Sequence, residues 1–433
     1  MQSELIRKLT SDLHEPLSKH EALVESDRCY FCHDAPCVTA CPTGIDIPLF
    51  IRQINTDNPH GSAKTIFDEN IFGGMCARVC PTETLCEQAC VRNTAEGRPV
   101  KIGELQRFAT DTLMQAGSQP YTRAASTDTR VAVVGAGPAG LSCAHRLALK
   151  GHRVTVFDAL PKSGGLNEYG IAAYKTVDHF AQREVDYILS IGGIDVHHEQ
   201  VLGKDFTLAS LKSDFAAVFL GIGLGDVNDA GMKSNDLTQV ENAVDFIARL
   251  RQTPNKSELS VGRRVVVIGG GMTAIDAAVQ SKLLGAEDVS VVYRRTQAQM
   301  NASQYEQELA QTNGVLLKAQ LRPKKIVGEA GMVQGVEFEY TQMQNDRLIG
   351  TGETIMLSCD SVLMAIGQSL AEQALQNALA LESNRIQVDE QQRSSDEQIW
   401  AGGDCASNGE DLTVAAVQAG KLAAESIHLA LSR

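Results

Sequence analysis

Two groups of cysteines dominate the first hundred residues: Cys29-x2-Cys32-x4-Cys37-x3-Cys41-Pro42, then Cys76-x3-Cys80-Pro81-x4-Cys86-x3-Cys90. Loops of this spacing let several thiolates converge on one cubane, and a Cys-Pro step turns the chain away after the last ligand. In bacterial-type runs the fourth cysteine of one group ligates the other cluster. The same exchange would tie the two groups into one domain. Structural zinc also accepts paired thiolates, but its sites usually show C-x2-C pairs, often with histidine. Only Cys29 and Cys32 form such a pair, so the spacing favours [4Fe–4S] clusters over zinc. His33 reads as solvent-facing or as packed behind the ligands, rather than as a ligand. Cys143, Cys359 and Cys405 are isolated and read as small buried hydrophobes.

Two glycine loops follow. Gly135-Ala136-Gly137-Pro138-Ala139-Gly140 stands between a β-prone run and a helical one. Its first glycine allows the turn, its second admits a pyrophosphate, and its third lets helix and strand pack closely. The helix N-terminus adds N–H groups and a positive dipole end. Asp158 ends the next strand, where a carboxylate can hold ribose hydroxyls, so this loop suits the adenosine half of FAD. Gly402-Gly403-Asp404, before a helix starting near Thr413, would hold the other end of FAD. The second loop is Gly269-Gly270-Gly271-Met272-Thr273-Ala274. After its next strand stand Tyr293-Arg294-Arg295, with no carboxylate. Cationic donors match a 2′-phosphate, which favours NADPH over NADH. The alternative is that both arginines are simply a solvated strand end.

These residues need a scaffold, and the 433-residue chain has room for about three domains. Eight of its eleven cysteines lie between Cys29 and Cys90. With no apolar N-terminal run to act as a signal, that crowding points to metal ligation in a reducing compartment, so a cytoplasmic location is expected. A formal charge of −14 argues against nucleic-acid or anionic-membrane binding. No stretch approaches the length of a membrane span. Leu49-Phe50-Ile51 with Ile54, and Leu105 with Phe108, Ala109 and Leu113, fit short amphipathic helices. Ala116 to Arg130 reads as a linker. The expected fold is α/β: a helical iron–sulfur domain over residues 1–120, then two doubly wound nucleotide-binding domains. The NAD(P) domain (241–358) is inserted into the FAD domain (130–240 and 359–433). SVLMAIGQ and IWAGGDCASNGEDLTVAAVQAGKLAAESI read as the closing part of the FAD domain.

From about Arg28 onward the chain resembles the electron-input half of dihydropyrimidine dehydrogenase, which in bacteria is a separate small subunit related to that of glutamate synthase. The stretches CHDAPCVTACPTGIDIPLFI, CARVCPTETLCEQAC and VKIGELQRFATD carry the likeness. The resemblance implies one cluster on Cys29, Cys32, Cys37 and Cys90, and another on Cys41, Cys80, Cys86 and Gln106. Cys76 would be unligated, although spacing alone would choose it. The implied FAD contacts are the Gly135–Gly140 loop, Asp158, Gly165, Leu166, Lys175, Asp404 and Thr413. The implied nicotinamide contacts are Gly270, Gly271, Met272, Thr273, Arg294, Arg295, Ala365, Ile366 and Gly367. Three positions depart from the family pattern: Met272 replaces Asp or Asn, Ala172 replaces a common Pro, and Asn301 stands where NADPH-using members are basic. The last departure pulls against NADPH. The implied partner is an FMN-containing subunit that reduces uracil and thymine in a barrel for which three domains leave no room here. Hydride transfer to flavin needs no side-chain nucleophile, so no catalytic residue is named. Two other readings compete: a glutamate synthase small subunit, and a non-enzymatic binding protein with a zinc domain.

Overall fold

The computed structural model describes residues 2–228, 231 and 237–432. Its contacts divide into two units. One comprises Met1–Leu13, Tyr169–Val177 and Asp226–Ser369, the other His14–Glu168, Asp178–Gly225 and Leu370–Arg433.

The second unit starts with the helices that flank the two cysteine groups: α1 (Lys19–Asp27), α2 (Ile47–Asn55), α3 (Pro59–Glu69), α4 (Gly73–Val79) and α5 (Ile102–Gln115). Ser18 and Glu21 form a capping box on α1, and Asp46 caps α2 by accepting the Leu49 N–H at 3.0 Å. Phe50, Ile51 and Ile54 of α2 are buried, as are Leu105, Ala109 and Leu113 of α5. Leu49, grouped with the apolar face from sequence, lies on the solvent side at 42% exposure. Its position beside Phe50 rotates it about 100° off the stripe. α5 packs on both α3 and α4. Residues 118–129 carry no regular element.

The strands of the two parallel sheets and one antiparallel sheet run in chain order. They are β1 (Arg130–Val134), β2 (Arg153–Phe157), β3 (Ile194–His197), β4 (Ala217–Leu220), β5 (Val240–Asn242), β6 (Arg264–Gly269) and β7 (Asp288–Val292). Then come β8 (Leu316–Lys318), β9 (Leu321–Glu329), β10 (Met332–Gln344), β11 (Arg347–Ser358), β12 (Ser361–Ala365) and β13 (Ile399–Ala401). In the second unit the sheet order is β13-β4-β1-β2-β3, all parallel. Val131 to Val134 are buried without alternation, as a parallel strand covered on both faces requires. β13 returns from the far end of the sequence to lie beside β4, so the second nucleotide fold interrupts the first. Two helices of this unit, α6 (Pro138–Leu149) and α7 (Thr413–Leu431), pack closely together.

The first unit holds the other parallel sheet, β5-β12-β6-β7-β8, and the antiparallel sheet β9-β10-β11. One correction follows. Ser361–Ala365, read from sequence as part of the closing FAD segment, pairs in this second sheet with both β5 and β6. An all-apolar run suits any buried parallel strand, so its composition does not say which sheet it joins. On β10, Val333, Val336 and Phe338 turn inward and join Ile326, Cys359 and Val362 in one core. The helix Gln2–Thr10 packs against the helix Met272–Leu284, with Leu9 fully buried. Among the described residues no helix is long and apolar enough to cross a membrane.

The α6–α7 contact depends on a missing side chain. A methyl group at Gly420 would lie 2.1 Å from the Ala139 carbonyl oxygen. Gly420→Ala is therefore expected to lower stability by about 1–3 kcal/mol through overpacking. Urea unfolding of the purified chain measures it, and an unchanged midpoint would mean that the helices part freely here.

Candidate functional site

Cys29, Cys32 and Cys37 lie on the chain between α1 and α2, and Cys90 immediately precedes the short helix Val91–Glu96. All four line one cavity, whose walls include Ile47, Ile51 and Ile102. Burial, reinforced by Cys90 and Cys29, pushes the Cys37 thiol up to about 12. Burial also raises Cys29, with Cys32 and Cys90 adding to it. A second set forms around Cys80, at the C-terminal end of α4. Its thiol is raised well above the ordinary value by a hydrogen bond with Cys76, one helical turn earlier, then by burial and by Cys86 and Cys41. Cys86 is raised by burial, then by Glu87, Cys41 and Cys37. The loop after Cys41 is tied down. Thr43 Oγ1 lies 3.3 Å from Cys41 Sγ, and Lys421 of α7 donates to the Thr43 carbonyl at 3.2 Å. Gln106 is buried on α5 and donates Nε2–H to the Gly73 carbonyl at 2.7 Å. Any bond from Gln106 to iron would therefore run through its oxygen.

These residues fit an iron–sulfur cluster. Converging buried thiols cannot ionise together without cationic compensation, which ligated iron supplies. Among the described residues no three or more His, Cys, Asp or Glu side chains are drawn together so as to hold a metal ion. A cavity walled by four thiols suits a wider, multinuclear occupant. Cys143, Cys359 and Cys405 are fully buried with raised thiols, as small hydrophobes would be.

In the same unit the first glycine loop leaves β1 and enters α6. Gly135 has φ +100°, and a methyl at Gly140 would lie 1.8 Å from the Gly135 oxygen, so turn and packing both require glycine. Among the described residues the one neighbour of a methyl added at Gly137 is the Gly165 backbone at 3.8 Å, which leaves room for a ligand to approach. Asp158 accepts from the Ala136 N–H at 2.5 Å and from the Leu160 N–H at 2.8 Å, so it also fixes the loop itself. Leu166 is 42% exposed beside the Gly164-Gly165 turn. Gly403, just after β13, sits against the first turn of α6, which brings Asp404 to the same edge of the sheet. Burial, then Asp411, raises the Asp404 carboxyl to about 6. Thr413 donates to Asn167 Oδ1 at 2.9 Å. Asn167 is 1% exposed, and its Nδ2 finds no hydrogen-bond partner among the described residues. An orphaned buried donor costs about 1–3 kcal/mol, so this one fits a polar ligand such as a flavin. Sequence reasoning missed Asn167, because nothing in GGLNEYG marks it out from the residues around it.

In the first unit the second glycine loop, the Arg294-Arg295 pair and Ala365-Ile366-Gly367 follow β6, β7 and β12, three adjacent strands. They therefore gather at one carboxyl edge. The Tyr293 ring fills the space beside Gly270, where a methyl would lie 2.4 Å from it. Gly271 has nothing within 4 Å of that position, and Met272 opens the helix Met272–Leu284. Gly367 is left-handed at φ +94°, and Asn228 bonds the Ile366 carbonyl. Arg294 and Arg295 are exposed, and neither makes an ion pair among the described residues.

Lys175, carried over as a flavin contact, lies in the first unit with its ammonium 2.7 Å from both Asp276 and Glu306. Burial would depress its pKa, but the two carboxylates outweigh that and hold it up. Asp276 also accepts from the Ala172 N–H and the Tyr174 hydroxyl, both at 3.2 Å. Lys175 thus fastens the Tyr169–Val177 segment to the helices bearing Asp276 and Glu306.

Lys175→Ala leaves two buried carboxylates without their cation, and is expected to cost about 3–5 kcal/mol in urea unfolding. A loss of flavin with no loss of stability would instead restore Lys175 to the flavin site. For Asp404 the folded pKa is raised, so in flavin-stripped protein its contribution to stability falls as pH rises from about 4 to about 6. Unfolding midpoints of wild type and Asp404→Asn should diverge through that window and run parallel above it; parallel curves throughout would refute the shift.

Residues 129–420 match the family model of pyridine nucleotide-disulphide oxidoreductase, and residues 6–118 that of dihydropyrimidine dehydrogenase domain II, 4Fe-4S cluster. The chain is 34% identical over 408 residues to an NAD-dependent dihydropyrimidine dehydrogenase subunit PreT homolog of Salmonella typhi, covering 94% of each chain. It is 33% identical over 452 residues to the glutamate synthase [NADPH] small chain of Escherichia coli, covering 98% of this chain and 94% of that one. Among solved structures, FprA of Mycobacterium tuberculosis in complex with NADPH shares the fold at TM-score 0.59 and 17% identity, over 70% of this chain and 85% of that one. Thioredoxin reductase of T. acidophilum does so at TM-score 0.56 and 20% identity, over 71% of this chain and all of the other. The chain belongs to the pyridine nucleotide-disulphide oxidoreductase family, as an NAD(P)H-dependent electron-input subunit that joins a flavin fold to a 4Fe-4S domain.

Proposed function

We propose that the chain oxidises NAD(P)H, with NADPH favoured over NADH, and delivers the electrons, through FAD and two [4Fe–4S] clusters, to an FMN-containing subunit that reduces uracil and thymine. The observation that carries this reading is that the flavin-type loop and both cysteine sets share one unit. Within it Lys421 reaches from α7 to the loop after Cys41. When bound, FAD takes up hydride and releases electrons singly, and the clusters carry single electrons.

The chain's own residues position and tune. Gly135 to Gly140 offer backbone N–H groups and a helix N-terminus to the pyrophosphate. Asp404, Thr413 and Asn167 stand ready for the flavin's sugar-alcohol end. Cys29, Cys32, Cys37 and Cys90 would hold one cluster, and Cys41, Cys80, Cys86 and the Gln106 oxygen the other. Gly270 to Thr273 and Ala365 to Gly367 would seat the nicotinamide nucleotide, with Arg294 and Arg295 at its 2′-phosphate. The NADPH preference rests on those two arginines. The relatives divide, one group being named NAD-dependent and the glutamate synthase chain being named for NADPH.

The pyrimidine assignment is supported by the dihydropyrimidine dehydrogenase subunits at 34% identity. A second reading, the small chain of a glutamate synthase, is favoured by a match spanning 98% of this chain. Anaerobic purification with the neighbouring subunit, followed by uracil-dependent oxidation of NADPH and of NADH, separates the two. Turnover with uracil supports the pyrimidine reading. Flavin reduction with no uracil turnover, and co-purification with a large amidotransferase, overturns it. Charge-assisted bonds are worth about 1.5–3 kcal/mol each, so Arg294→Ala with Arg295→Ala is expected to raise KM for NADPH at least about tenfold. The KM for NADH should hardly change; equal effects on both would mean that the arginines do not read the 2′-phosphate.

A further inference from the structure

We infer that Glu184 is a positioning residue for the second cysteine set, fixing α4 to the flavin-type fold so that Cys80 and Gln106 are held in place. The inference rests on the iron–sulfur reading above and adds to it a residue outside both cysteine groups.

Glu184 sits on the helix Phe180–Leu189, and its side chain is completely buried. Its Oε1 accepts the Gly74 N–H at 2.8 Å and the Met75 N–H at 3.0 Å, and its Oε2 lies 3.2 Å from the latter. The first N–H groups of a helix have no acceptor within it, and a local cap usually supplies one. α4 has no such cap: Phe72 stands at the capping position and makes no side-chain bond. Glu184 supplies the missing acceptor from a distant part of the chain.

The same helix grips the other end of α4. Arg78 lies over the Phe180 ring, 3.4 Å from its centre. Its guanidinium also bonds the Gly74 carbonyl at 3.0 Å and both Asp111 oxygens at 2.9 and 2.7 Å. Position 74 must be glycine, since a methyl there would lie 2.6 Å from Phe180 and 2.8 Å from Glu184 Oε1. From this joint α4 runs directly into Cys80, while the Gly73 carbonyl takes the Gln106 amide. Two candidate ligands from separate helices therefore inherit their positions from one short helix, and that helix takes its own from Glu184 and Phe180. The placement has an electrostatic cost, since burial raises the Glu184 carboxyl to about 8. A serine or aspartate cap within α4 would avoid that cost, but it would not tie the helix to the flavin-type fold.

The test uses the full chain purified anaerobically as wild type, Glu184→Gln and Glu184→Ala. It reads iron content, FAD content, the low-temperature EPR spectrum of the reduced protein, and cluster midpoint potentials. Glu184→Ala is expected to lose about half of the bound iron and the signal of one cluster, with FAD and the other cluster retained. Glu184→Gln keeps an acceptor oxygen, and should retain the iron while altering the spectrum and potential of one cluster alone. Variants with wild-type iron, spectrum and potentials would overturn the inference while leaving the functional reading intact. So would loss of FAD and both clusters together in Glu184→Gln, which would mark a general folding role. A wild type that holds FAD but no iron would overturn the iron–sulfur reading itself, and this inference with it.

Discussion

Thiols that are buried together oppose one another's ionisation, and this constraint shapes the N-terminal part of the molecule. Cys37 is pushed up to about 12 by burial and by Cys90 and Cys29, and Cys80 and Cys86 are also raised well above the ordinary thiol value. A disulfide would relieve one pair at a time. A cationic cluster relieves a whole set, and it explains why residues as far apart in sequence as Cys29 and Cys90 line one cavity. The layer around them has little independent means of closing, because its helices are short and its turns numerous. Capping groups, the α3–α4–α5 packing and links such as Lys421 to Thr43 hold the thiols where a cluster can take them.

The two nucleotide folds follow a different logic. Each places its glycine loop and its specificity residues at the carboxyl edge of a parallel sheet, where successive strands end side by side. That edge brings Gly269, Arg294 and Ala365 together from three separate stretches of sequence, and likewise Gly135, Asp158 and Gly403 in the other fold. Insertion of one fold into the other requires the chain to cross between sheets, and the Tyr169–Val177 segment shows how such a crossing is secured. It leaves the first fold in sequence, yet its Lys175, Tyr174 and Ala172 N–H all bond acidic residues of the second. Buried ion pairs are poor sources of stability but good determinants of register, since misplacing one partner strands a charge. Lys175 therefore reads more naturally as a fastener than as a ligand for flavin.

Much of this was legible in the sequence, where periodicity and spacing carried it. The cysteine groups, both glycine loops, the linker before Arg130 and the strand-and-helix ending at Ile399 and Thr413 follow from local patterns that each need only their own residues. The failures share a cause. Ser361–Ala365 is apolar throughout and could complete either sheet, and Leu49 lies next to a buried stripe without belonging to it. Asn167 and Glu184 matter through partners 246 and about 110 positions away, and a single sequence holds no trace of such pairings. A glutamate on a helix is most often solvated, yet Glu184 lies on the buried face formed by Phe180, Ala181, Val185 and Ile188.

That contrast says something about how the two kinds of cofactor site are specified. A nucleotide loop is written contiguously, because a turn, a helix N-terminus and close backbone packing are all local requirements. A cluster site must gather ligands from several segments, so its precision depends on whatever orients those segments. α4 leads directly into Cys80, supplies the carbonyl that holds Gln106, and has no side-chain cap of its own. Its orientation is therefore delegated to the helix Phe180–Leu189 of the flavin-type fold. Electron transfer between flavin and cluster depends on a fixed separation, and a joint that uses a buried carboxylate in place of a local cap sets that separation directly. A local cap would stabilise α4 equally well, but it would leave the helix free to shift relative to the fold that feeds it.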